Sequence, residues 1–155
     1  MLLPVKLEEV AQTIGTLDDE THAYINRRTG ELVTVTDEDL YLAENESDAE
    51  VPEWQREMVE SAKVVLGSDD YIPLPGQFDF HEYRVMESFC LSLEETELQE
   101  KLLSDLRGRG AFRRFKDGIH EAAIDKLWYD YRDQALRDLA ADFLEAEGIP
   151  VSGLD

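Results

Sequence analysis

One cysteine, Cys90, is present in 155 residues. A lone thiol excludes an internal disulfide, and nothing in the cysteine usage points to an oxidising compartment. No apolar run approaches the ~20 residues that a membrane-spanning helix needs. The opening stretch Met1-Leu2-Leu3-Pro4-Val5-Lys6 lacks the charged region, long apolar segment and cleavage site of a secretory signal, so a cytoplasmic protein is expected. Basic residues are scarce: fifteen Lys and Arg face thirty-six Asp and Glu, for a formal net charge of −21. Such a field repels phosphate backbones and anionic membranes over most of the surface. The three histidines, His22, His81 and His120, are scattered. His81-Glu82 starts a helical stretch, but position 85 is Val85, not the second His of a zinc helix motif. No nucleophile-elbow serine motif, dinucleotide glycine fingerprint or phosphate-loop ending is present. No catalytic residue, metal ligand or cofactor is therefore assigned.

What is there is a foldable chain. Hydrophobic residues make up 43% of it, and its length suits one domain over 1–155 with a core of its own. Leu7, Val10, Ile14 and Leu17 recur at helical spacing and predict a first helix over 5–17. The β-prone runs 22–26 and 31–36, separated by a turn at Arg27-Arg28-Thr29-Gly30, predict a hairpin. Residues 44–53 are acidic and predict an exposed loop. Pro52 suits a helix start, with Trp54, Met58, Ala62, Val65 and Leu66 on its apolar face. Tyr71 to Gly76 is an extended connector whose two prolines bar it from a central strand.

Asp79 fits an N-cap for a helix burying Phe80, Tyr83, Met86, Phe89, Cys90 and Leu93. A helix with Leu98, Leu102, Leu103 and Leu106 then ends at Gly108, and a short one covers about 110–119. A long one over about 122–147 carries Ile124, Leu127, Trp128, Tyr131, Ala135, Leu139 and Phe143 until Gly148 closes it. The expected architecture is α+β and mostly α: a helical bundle with one small β-hairpin.

The strongest local anomaly is the run from Arg107 to Lys116. It holds five of the fifteen bases (Arg107, Arg109, Arg113, Arg114 and Lys116) and no acid. Phe112 and Phe115, three apart, share a helix face and are expected in the core. Arg113 and Lys116 share another, with His120 a turn further on. Gly108 and Gly110 let the backbone bend closely and bare its amides. A helix N-terminus already carries about half a positive charge, so cations stacked there are unfavourable until an anion joins them. That anion is either internal, with Asp105 and Asp117 near in sequence, or an external phosphate or carboxylate suited to forked guanidinium groups.

The same run carries a resemblance. Gly108-Arg109-Gly110-Ala111-Phe112-Arg113-Arg114-Phe115-Lys116-Asp117, followed by Trp128, Phe143-Leu144 and Gly148-Ile149, resembles the hallmark segment of uncharacterised protein family 0158, a family of small bacterial proteins. Tyr71-Ile72-Pro73, the Tyr83, Met86 and Phe89 helix and the Thr29-Gly30-Glu31 turn extend the likeness over most of the chain. It implies a shared fold and brings no catalytic residues with it.

Other clusters carry less. Asp18-Asp19-Glu20 and Asp37-Glu38-Asp39 flank the hairpin's open end and read as a solvated patch rather than a cation site, with Thr36 or Asp37 capping the next helix. Cys90 reads as a buried, inert thiol. Trp128 and Tyr131 share a face with Arg132 one turn on, so Arg132 is expected as a cation–π cover, and Trp128 either packs or lines a pocket beside the basic run.

The expected function is a small non-enzymatic binding or regulatory protein. It would engage a phosphorylated small molecule or an acidic protein through Arg107, Arg109, Gly110, Arg113, Arg114, Lys116, His120 and Trp128. The alternative is an enzyme acting on a phosphorylated or carboxylated metabolite, with Glu82, Asp117, His120 or Tyr131 as acid–base groups. Nucleic-acid association ranks third, and the sequence leaves the oligomeric state open.

Overall fold

The computed structural model describes residues 4–45 and 51–152. The core of the expected acidic loop, 46–50, lies outside them. The elements run β1 (Val5–Lys6), α1 (Leu7–Thr16), β2 (Thr21–Asn26), β3 (Leu32–Thr36), α2 (Asp37–Asn45), a 3-10 turn at Glu53–Gln55, α3 (Arg56–Leu66) and β4 (Tyr71–Pro73). Then come α4 (Gln77–Phe80), α5 (Glu82–Ser92), α6 (Thr96–Asp105), α7 (Ala111–Glu121), α8 (Asp125–Ala146) and β5 (Val151–Ser152). The class is α+β, mostly α. No helix is long and apolar enough to cross a membrane among the described residues.

The hairpin forms where expected, with Thr21 opposite Thr36 and Ile25 opposite Leu32. Asn26 Oδ1 accepts the amides of Arg28 and Thr29, and Gly30 takes φ 78° with Val5 pressed against it. The sheet is larger than a hairpin, however. β4 adds antiparallel to the other side of β2, Ile72 opposite Ile25, so the order is β3-β2-β4. Pro73 confines it to the edge, where a missing amide costs no ladder bond. β1 and β5 form a second, two-residue parallel ladder, Val5 opposite Val151, which short strand length hid from the sequence.

Thr36 caps α2: its Oγ1 accepts the Asp39 amide at 3.0 Å, and Asp39 Oδ2 accepts the Thr36 amide at 3.0 Å. Asp39 is buried and also accepts from Gln55 Nε2 at 3.3 Å. That bond sets the roll of α3. The inward stripe is Gln55, Val59, Ala62 and Val65, whereas Trp54, expected inside, is 78% exposed, with Met58 and Leu66 also outside. Asp79 is not the cap of a single helix either. Its carboxylate takes the Gly76 amide at 2.9 Å, α4 stops after one turn, and His81 at φ 52° breaks the chain before α5 begins. Tyr83 in consequence lies half-exposed outside the expected stripe.

Two apolar clusters share one helix. α1, β1, the sheet and the second half of α8 bury Val10, Ile14, Ile25, Leu136, Ala140 and Leu144. α5, α6, α7 and the first half of α8 bury Met86, Phe89, Leu102, Phe115, Ile119 and Trp128. α8, 22 residues and thus about 33 Å long, runs through both. Its buried line, Trp128, Leu136, Ala140 and Leu144, is rotated from the expected one, and Leu127 faces outward. The cause is close packing on α1, where a Cβ on Gly15 would stand 2.9 Å from Leu136 Cδ1.

Candidate functional site: the arginine corner between α6 and α7

The basic run forms the turn from α6 into α7. Gly108 and Gly110 both take left-handed φ, 75° and 73°, a conformation that L side chains resist. Arg114, one turn into α7, reaches back across this turn. Its Nε donates to the Asp105 carbonyl at 3.1 Å, and its two terminal nitrogens donate to the Arg109 and Arg107 carbonyls. Tyr83 Oη donates to the Leu106 carbonyl at 3.0 Å. The carbonyls left orphaned where α6 ends thus meet side-chain donors, and a cation sits at the negative end of that helix dipole. An internal partner for the run therefore exists, but it is main-chain oxygen rather than carboxylate. Asp105 pairs instead with Lys101 at 3.2 Å.

The other four cations are different. Arg107, Arg109, Arg113 and Lys116 are exposed, and among the described residues none has an ion pair or a side-chain hydrogen bond. Arg107 and Arg109 lie in the turn that leads into α7, and Arg113 and Lys116 in its first two turns; the N-cap, Gly110, has no side chain to receive the free amides. His120 is turned away into solvent, 3.2 Å from Asp125.

The aromatic residues divide as well. Phe115 is fully buried, edge-on to Phe89 and Trp128. Phe112, expected in the core, is 43% exposed and stacks on Tyr83, ring centres 6.5 Å apart. The left-handed turn at Gly110 brings α7 in with only the later face, Phe115, Gly118 and Ile119, against α6. Trp128 is wholly buried and anchors α7 from beneath; it presents no face to the surface at the corner. Arg132 covers Phe80, 5.5 Å from the ring centre, rather than Trp128.

Groups considered for acid–base work are dispersed. Glu82 is engaged by Arg132 at 2.6 Å, and Tyr131 packs edge-on against Phe89. Cys90 is sealed in the second cluster, where burial pushes its thiol up to about 11, and no bond joins it to His120. At the hairpin's open end His22 Nε2 meets Asp37 at 2.5 Å, a contact between separate β-strand and helix positions that spacing alone did not reveal. No group of three or more metal-ligating side chains occurs among the described residues.

A family model described as Uncharacterised protein family (UPF0158) matches residues 2–152. The chain belongs to that family. No curated protein and no solved structure matches it significantly. Membership in UPF0158 spans both apolar clusters and the arginine corner, so the family's fold is the one described above.

The corner's two kinds of arginine are separable by experiment. Arg114→Ala strips donors from three carbonyls and should cost about 1–2 kcal/mol, the exposure of the guanidinium keeping the loss below that of a buried charged bond. Arg109→Ala and Arg113→Ala should each stay within about 0.5 kcal/mol of the parent. Urea denaturation followed by circular dichroism measures all three; equal losses would remove the distinction.

Proposed function

We propose that this member of UPF0158 is a small non-enzymatic binding or regulatory protein that engages an anionic ligand, a phosphorylated molecule or an acidic protein segment, at the α6–α7 corner. One observation carries the reading. In a chain of net charge −21, four exposed cations gather at an uncapped helix start without a partner among the described residues. Several cations elsewhere on the surface are paired, as Lys126 is with Asp130 at 2.7 Å and Arg137 with Glu8 at 2.8 Å. Electrostatic cost accumulates at the corner and an arriving anion relieves it. Arg107, Arg109, Arg113 and Lys116 make the contacts, Arg114 and the two glycines fix the turn, and Phe115 and Trp128 hold α7 beneath it.

Inorganic phosphate and an acidic peptide, each titrated into isotopically labelled protein at low salt, test the reading. Amide shifts should centre on residues 109–113 and weaken as salt rises. The double variant Arg109→Ala/Arg113→Ala should lose about tenfold or more in affinity, while Lys126→Ala changes nothing. Labelled RNA and DNA are expected to keep their mobility, since the rest of the surface repels them. Unaltered binding by the double variant sinks the proposal.

A further inference from the structure

The clefts of the molecule differ in whether their charges are already engaged. In a cleft of about 300 Å³ between α1 and α8, Arg132 is held by Glu82 and Glu8 by Arg137, which leaves an acid, Asp133, as the unengaged charge among the described residues. A wider one of about 520 Å³ beside Pro73 carries only acids, Asp79 and Asp142, on apolar walls. A third, again about 300 Å³, lies between α5 and α8 and has both signs of charge at its rim.

Its walls follow from helix geometry. Glu82 meets Arg132 and Phe89 meets Trp128 and Tyr131, so α5 and α8 run antiparallel. Arg84 and Ser88, four apart, share one face of α5; Tyr131, Ala135 and Asp138 share one face of α8. All five line the cleft, with Val85 on the floor. Arg84 and Asp138 lie on opposite walls yet form no ion pair with each other, and Arg84 has no partner among the described residues. The hydroxyls of Ser88 and Tyr131 have none either. Gln134 Nε2 steadies the Asp138 carboxylate at 2.9 Å. The composition is that of a ligand site: an apolar floor with a few convergent polar groups.

We propose that this cleft binds a small zwitterion of the free amino acid class, its carboxylate on Arg84 and its ammonium on Asp138. The apolar portion rests on Val85, Ala135 and the Tyr131 ring. The volume is at the lower end of the roughly 300–1,000 Å³ that ligand sites span, which suits a single amino acid and not a nucleotide. Arg84 suits the carboxylate because a guanidinium offers two parallel donors. This site is separate from the arginine corner, and neither proposal depends on the other.

Leucine and 4-aminobutyrate are the probes, with 4-methylpentanoate and isopentylamine as leucine lacking one charge or the other. Titration into the labelled full chain should give saturable shifts at Arg84, Ser88 and the Gln134 side chain with at least one zwitterion. Each single-charge analogue should bind about tenfold more weakly than leucine, if leucine is the ligand that saturates. Arg84→Gln should erase the preference over isopentylamine, and Asp138→Asn the preference over 4-methylpentanoate. Both side chains are exposed, so circular dichroism should show both variants folded. The proposal falls if neither zwitterion shifts these resonances at about 10 mM, a concentration at which a millimolar Kd registers. It falls equally if the analogues bind as tightly, or if both variants bind as the parent does.

Discussion

Trp128→Ala is expected to cost about 3–5 kcal/mol, the largest loss of any single substitution in the second cluster. Trp128 is wholly buried. Phe89 and Phe115 stand edge-on to it with ring centres 5.4 and 5.0 Å away, so its removal opens a void touching α5, α7 and α8 together. Domains of this kind hold only about 5–15 kcal/mol in all, so about a fifth or more of the stability is at stake. The indole also carries a cost of its own, because Nε1 is buried without a hydrogen-bond acceptor among the described residues. Trp128→Phe relieves that orphaned donor while removing part of the volume, and should cost about 1–2 kcal/mol. Denaturation followed by far-ultraviolet circular dichroism suits both variants, since the remaining Trp54 is exposed and a poor reporter of unfolding. A loss below about 1 kcal/mol for the alanine variant would mean that α7 is not anchored from beneath, and the corner above it would need another support.

That corner shows how far composition leads. A run of five bases without an acid is visible in the sequence, and so are the glycines that flank its turn. Charge counting cannot show that Arg114 is turned inward to main-chain carbonyls while its neighbour Arg113 is not. Backbone oxygens carry no sequence signal, so a search for internal partners looks to Asp105 and Asp117 and misses the actual acceptors. The remaining signal was in the glycines: with two left-handed residues straddling Arg109, the alternate carbonyls of Asp105, Arg107 and Arg109 converge, and a donor with several N–H groups is needed there.

Helix faces failed for a related reason. Apolar periodicity finds a stripe made of hydrophobic residues, yet the stripe of α3 begins with Gln55, whose amide is bound to buried Asp39. Reading Trp54 as the first inward residue rotates everything after it. In α8 the apolar residues are dense enough to support two registers, and the choice between them is made by Gly15 of α1, more than a hundred residues away, which lets Leu136 approach. The hairpin, with a turn and β-prone runs adjacent in the chain, was legible because both its strands and its register are local. β4 and β5 were not, since their partners are distant and their lengths are three and two residues.

Arg132→Met should cost about 2–3 kcal/mol, and the paired change Glu82→Met/Arg132→Met should cost less than that single change. Arg132 donates to Glu82 at 2.6 Å, lies over the Phe80 ring and reaches the Gly15 carbonyl at 3.4 Å, so one guanidinium ties α8 to α5, α4 and α1. Both partners keep about 23% of their side-chain exposure, which places the pair between the surface case, worth about 0–1 kcal/mol, and the buried case, where losing one partner costs about 3–5. Removing only the cation leaves the largely buried Glu82 carboxylate without the guanidinium that faces it. Removing both leaves methionines able to fill the same space, and the pair's desolvation cost disappears with its attraction. A double-mutant cycle by urea denaturation separates the terms. If the paired variant loses as much as the sum of its single changes or more, the bridge does not act as a charge pair. Its contribution would then lie in Arg132's contacts with Phe80 and Gly15, and the junction of the two apolar clusters would be held by packing alone.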